Sequence, residues 1–123
     1  MGLSEFHPRF FKITEQGDIA VARFEVPHLN DEENIEELGH ELFAIVDQFG
    51  FRKVVLNMKT VEYLTSSVVG KLITLHRKLH RLEGTLVLCE VTQSVNEVLV
   101  ASRLVTYFRI AAKEAEAIAG LAS

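Results

Sequence analysis

Apolar residues follow two rhythms along this chain: alternation in short runs, and a three-to-four spacing in longer ones. Phe10 to Thr14 and Ile19 to Glu25 are strand-like runs around Gln16-Gly17-Asp18, the composition of a hairpin turn. In the second run Ile19, Val21, Arg23 and Glu25 alternate with Ala20, Ala22, Phe24 and Val26, so one face is expected to be more buried than the other. Pro27 ends that run. Asn30 then offers a capping oxygen, with Glu33 three residues on as its reciprocal partner and Asp31 and Glu32 suited to a positive helix end. Ile35, Leu38, Leu42, Ile45, Val46 and Phe49 form one apolar stripe, and Gly50 closes the predicted helix.

Val54, Val55 and Leu56 make a run that fits a strand covered on both faces. A second helix is predicted from Ser66, with Val68, Leu72, Leu75, Leu79 and Leu82 buried and Glu83-Gly84 as its stop. Thr85 to Cys89 reads as another buried strand. Val95, Val98, Leu99 and Leu104 mark a shorter helix from Gln93. Tyr107, Phe108 and Ile110 predict a last short strand, and Lys113 to Leu121 an alanine-rich helix. The order is β-β-α-β-α-β-α-β-α: a single α/β domain with a mostly parallel central sheet and an N-terminal antiparallel hairpin. Residues 1–9 carry no periodic pattern and are expected to be a flexible N-terminal arm, leaving 10–123 as the domain.

Composition narrows the function classes. The 123 residues are 48% hydrophobic and 24% charged, ordinary for a globular protein. A net charge of -4 and a pI near 5.7 argue against nucleic acid as a partner. Cys89 is the sole cysteine, so no intramolecular disulfide can form, and a reducing compartment is expected. The first residues resemble neither a signal peptide nor a myristoylation site, and no apolar run reaches the roughly 20 residues that cross a bilayer. A soluble, cytoplasmic protein that does not engage a membrane is expected.

Chemistry-bearing motifs are sparse. His76 and His80 share a helix face, but the glutamate of an H-E-x-x-H pattern is missing and Cys89 has no partner at metal-ligand spacing. No metal or other cofactor is expected. Neither phosphate-binding glycine pattern is present. Ser66 stands at a strand-to-helix transition, yet without the G-x-S-x-G elbow of a hydrolase nucleophile. Charge is segregated: Glu32, Glu33, Glu36, Glu37 and Glu41 on the first helix, against Lys71, Arg77, Lys78 and Arg81 on the second. Such segregation either steers partners or simply solvates two helix faces.

The richest segment runs from Val54 to Gly70, VVLNMKTVEYLTSSVVG: a buried strand, a short loop, then three hydroxyls opening an amphipathic helix. It resembles the STAS family, the anti-sigma factor antagonists and their relatives, which show an apolar strand, a loop and an Asp-Ser-Ser/Thr-Gly-Leu-Gly-like helix start. Strand and helix order extend the resemblance from about Phe10 to Leu121. Ser67 and Gly70 match; Thr65 stands where the family has Asp, and Val68-Val69 where it has Gly-Leu.

The resemblance implies a non-enzymatic, protein-binding regulator. By position Ser66 is the serine that a partner anti-sigma kinase phosphorylates, with Thr65 and Ser67 as secondary candidates. The kinase supplies ATP and magnesium. Glu62, Tyr63, Leu64, Thr65, Ser66, Ser67, Val69 and Gly70 are the expected partner-binding residues, flanked by Thr92, Ser94 and Asn96 if the third helix starts at the same end of the sheet. A phosphate at a helix N-terminus is electrostatically accommodated, while a docked partner meets new charge and bulk. The alternative is an unphosphorylated scaffold subunit assembling with copies of itself or other STAS proteins; a small hydrolase using Ser66 is a third reading.

Overall fold

A computed structural model describes residues 3–28 and 31–122. Its strands are β1 (Phe11–Gln16), β2 (Ile19–Phe24), β3 (Lys53–Asn57), β4 (Thr85–Cys89) and β5 (Arg109–Ala111). Its helices are α1 (Glu32–Asp47), α2 (Ser66–Arg81), α3 (Gln93–Ala101) and α4 (Glu114–Leu121). This is the predicted order. The sheet runs β1-β2-β3-β4-β5; β1 pairs antiparallel with β2, and the remaining pairs are parallel.

Chain order and strand order coincide, so each right-handed crossover steps the same way and α1, α2 and α3 fall on one face. The side chains divide accordingly. Ala20, Ala22, Val54, Leu56, Leu86 and Leu88 meet the stripes of those three helices. Ile19, Val21, Val55, Val87 and Cys89 point the other way, beneath Ala117 and Leu121 of α4. Both faces of β2 are therefore buried except at Arg23, so the difference in burial that alternation predicted between its faces comes down to that one residue.

Other boundaries shift for local reasons. The α1 cap is Asp31, whose Oδ1 accepts from Glu33 N at 2.9 Å; Asn30, the predicted cap, lies outside the described residues. Leu82 is not the end of the buried α2 stripe but its C-cap, 40% exposed. Tyr107 and Phe108 precede β5, their amides turned back to Leu104 O at 3.0 and 3.1 Å. Gly84 cannot carry a side chain, because a Cβ there would run into the Arg52 carbonyl beside the turn into β4.

The segment expected to be a loose arm is packed over its described part. Leu3–Glu5 form a 3-10 turn with Leu3 buried. The Phe6 ring stacks on Phe49 at 5.0 Å and meets Phe11 edge-on at 6.1 Å. Arg9 N donates to Glu41 at 2.7 Å, and its guanidinium to Glu37 at 3.0 Å. Two apolar residues three apart suffice to dock this short segment.

Candidate functional site

The strands β3 and β4 and the starts of α2 and α3 meet at one end of the sheet. Crossing from β3 to α2, the chain buries Met58, Val61 and Leu64 and exposes Lys59, Thr60, Glu62 and Tyr63. Every third residue is an anchor. Polar contacts from three other parts of the chain fix the same loop. Met58 N donates to Cys89 O at 2.9 Å, and Thr92 Oγ1 donates to Val61 O at 3.0 Å. Glu62 N donates to Pro27 O at 3.1 Å, while the Glu62 carboxylate lies 3.3 Å from His28 Nε2.

Thr65 is the N-cap of α2, extended at φ -83° and ψ 161°, its Oγ1 accepting from Val68 N at 3.2 Å. Its carbonyl takes the first helical bond, from Val69 N at 3.0 Å. Capping thus falls to Thr65. Ser66 and Ser67 occupy the first turn and are exposed. The turn holds no acidic side chain, so the positive end of the helix faces solvent beside two hydroxyls. Gly70, one turn on, is exposed with nothing within 4 Å of where a Cβ would sit. Tyr63, 54% exposed, stands at the other side of the hydroxyls.

Two residues assigned to the binding face from sequence do not lie on it. Leu64 and Val69 are 4% and 7% exposed and belong to the core: the anchored loop turns Leu64 toward the sheet, and Val69 lies on the buried face of α2 with Val68, Leu72 and Leu75. The face that remains comprises Glu62, Tyr63, Thr65, Ser66, Ser67 and Gly70. Thr92 adjoins it, since its hydroxyl both reaches Val61 and caps α3 through Val95 N at 3.3 Å. Ser94 and Asn96 are exposed on the same helix.

Much of the segregated charge is consumed within the molecule. Lys71 Nζ lies 2.8 Å from Glu36, and Lys78 Nζ 2.9 Å from Asp47. The Lys71 bond holds the Glu36 carboxyl below its usual range. Gly39 leaves room for the Lys71 stem, which a Cβ would meet at 2.9 Å. Arg77 and Arg81 stay exposed on α2.

The other chemical candidates fall away. His76 is ten residues from Ser66 on α2, about 15 Å along the axis, which separates nucleophile from base. Its ring packs 4.7 Å from Tyr107, and burial, then His80, pushes its pKa down. Among the described residues no group of three metal-ligating side chains gathers. Burial, then Glu114 and Glu90, pushes the Cys89 thiol up to about 12, leaving it protonated and inert. A groove of about 640 Å³, lined in part by Phe49, Phe51, Lys53 and Leu82, lies at the opposite end of the strands from Ser66.

A family model described as the STAS domain matches residues 9–117. The chain belongs to the STAS family. Within that family it is 37% identical over 87 residues to a Bordetella bronchiseptica protein that carries the name anti-sigma factor antagonist BtrV, covering 70% of this chain and 74% of BtrV. Among solved structures, an anti-sigma-factor antagonist STAS domain protein from Planctomyces limnophilus superposes with a TM-score of 0.82 at 20% identity, over 92% of this chain and 98% of that one. The Bacillus cell fate determinant SpoIIAA, solved in its phosphorylated form, gives a TM-score of 0.69 at 20% identity, over 91% and 99%. These two likenesses show a shared fold. In this STAS domain, Thr65 supplies the cap at the position where the family motif has its aspartate; both side chains offer an oxygen to the N3 amide.

Sequence reasoning named Thr92 as a flank of this face but not its bond to Val61, and it missed the tether at Pro27 and the Asn57 side-chain amide, whose Oδ1 accepts from Lys59 N in the same loop. Thr92 alone gave a signal, as a hydroxyl just before an apolar-periodic run.

Proposed function

We propose that this STAS domain is a cytoplasmic switch of the anti-sigma factor antagonist type, the substrate and ligand of a partner anti-sigma kinase rather than an enzyme. One observation carries the reading: Ser66 is exposed in the first turn of a helix whose cap is already made by Thr65. The hydroxyl is available for modification at no cost to the fold. Phosphate there adds about -1.5 to -2 charges, which the helix end accommodates and a docked partner does not. The surface offered to the partner is Glu62, Tyr63, Ser66, Ser67 and Gly70. The BtrV and SpoIIAA likenesses support it.

The test is to incubate the protein with ATP and lysate of its source cells and map phosphate by mass spectrometry. Phosphate on Ser66, absent from Ser66→Ala, is the expected result. An unmodified protein, in a lysate that labels a control substrate, would overturn the switch and favour the assembling scaffold, for which light scattering would find a stable oligomer. Once a partner is isolated, Ser66→Glu should bind it at least tenfold more weakly than Ser66→Ala; equal affinities would remove the phosphate mechanism.

A further inference from the structure

The end of β3 is joined to α4 by a polar junction. Glu114, the first residue of α4, accepts from Arg23 Nε at 2.8 Å and Nη2 at 2.9 Å, a bidentate pair. Its Oε1 also accepts from Asn57 Nδ2 at 3.0 Å. Asn57 faces two ways: its Oδ1 accepts from Lys59 N at 2.9 Å, the bond that bends the chain out of the sheet toward Ser66. Glu90 completes the junction, its carboxylate accepting from Glu114 N at 2.9 Å.

We propose that Glu114 and Asn57 are positioning residues: the docked C-terminal helix holds the loop before Ser66 in its partner-facing form through one carboxylate acting on one amide. The functional meaning rests on the reading of that loop given above.

The chemistry of the amide makes the link directional. With Nδ2 held by Glu114, Oδ1 is aimed at the Lys59 amide; without the carboxylate the group is free to rotate, and the Lys59 bond goes with it. Arg23 fixes the carboxylate in turn, holding Glu114 in its charged form below the usual range. No other side-chain hydrogen bond among the described residues ties α4 to the β3–α2 segment. The helix is also the element best suited to let go. It has eight residues, too few to be stable alone, and it buries only Ala117 and Leu121 fully. Short, thinly buried elements open locally before the rest of a fold does. Release of α4 by a ligand or a partner would therefore be felt at the loop.

The experiment is amide hydrogen exchange by NMR on the full chain, comparing wild type with Glu114→Ala and with Glu114→Gln. The second variant keeps an oxygen for Asn57 and Arg23 Nε, and gives up the charge and the acceptor that meets Arg23 Nη2. Glu114→Ala should speed exchange at Lys59 on the order of tenfold, the effect of one lost hydrogen bond. Glu114→Gln should restore most of the protection. Adding Asn57→Ala to Glu114→Ala should change Lys59 no further. Unchanged Lys59 exchange with faster exchange in α4 would overturn the proposal, reducing Glu114 to a docking contact. A uniform rise across all amides, or no recovery in Glu114→Gln, would overturn it as well. The measurement needs no kinase or partner, so it stands or falls separately from the labelling of Ser66.

Discussion

Thr65 separates two tasks that are easily conflated at a helix start. It caps α2, so the neighbouring serine is spared that duty. Thr65→Ala should cost about 1 kcal/mol of stability, whereas Thr65→Asp, an equally good cap, should cost little. Ser66→Ala, by contrast, should stay within about 0.5 kcal/mol of wild type in urea denaturation. His76 shows a different economy. Its Nδ1 is buried with no hydrogen-bond partner among the described residues, against Tyr107 and Phe108, with His80 stacked one turn away. Burial lowers its pKa below 6.5, so between that value and the folded one the unfolded chain binds a proton that the native protein refuses. Its contribution is present above pH 6.5 and is lost as pH falls through the folded pKa. Urea midpoints should drop from pH 7.5 to 5, and His76→Phe should flatten that slope. At this scale the exposed hydroxyls were legible in the sequence, as polar residues opening an apolar stripe. Leu64 was not, because the inward turn of the loop depends on Thr92 bonding to Val61 and on Pro27 bonding to Glu62, partners distant in sequence; nor was Val69, which widens the buried face of α2 beyond the predicted stripe.

Helices and strands were the most legible level, since each carries its own period and punctuation. The failures have specific causes. Alternation made β2 look one-sided because Arg23 and Glu25 interrupt it, yet Arg23 faces Glu114, ninety-one residues later. The packed N-terminal segment has only Leu3 and Phe6 to announce it, too few to form a period. Charge segregation between α1 and α2 was visible, but the register that joins Lys71 to Glu36 and Lys78 to Asp47 was not. Those pairs are half-exposed, so removing either should change stability by less than about 1 kcal/mol. The junction at α4 behaves differently. The Arg23 guanidinium, then the Asn57 bond, holds the Glu114 carboxyl below the usual glutamate range. A depressed carboxylate stabilises above its unfolded pKa, and the benefit is lost as pH falls through the folded pKa. Thermal unfolding of Glu114→Gln should therefore be less acid-sensitive than wild type below pH 4.5, while starting from a lower value at pH 7.

For the molecule as a whole, the β3–α2 loop and the starts of α2 and α3 gather at one end of the sheet, and the groove lies at the other. A phosphate on Ser66 adds charge to a surface without entering the core. Ser66→Glu should therefore keep the wild-type far-UV circular dichroism, whatever it does to binding. The fold follows from a strand order that repeats the chain order, and that regularity also bears on how the protein reaches its native state. Every ladder joins strands adjacent in sequence, so the sheet can grow one neighbour at a time, each parallel step closing one helical crossover. The bond between Arg23 and Glu114 spans ninety-one residues, the longest separation of any side-chain hydrogen bond among the described residues. For a contact that forms after the rate-limiting step, loss appears in escape from the native state rather than in the approach to it. In a chevron, Arg23→Ala should steepen unfolding in time by about the full equilibrium loss and leave the refolding limb where it was: a clasp that governs how long the fold lasts, and has no say in how fast it is found.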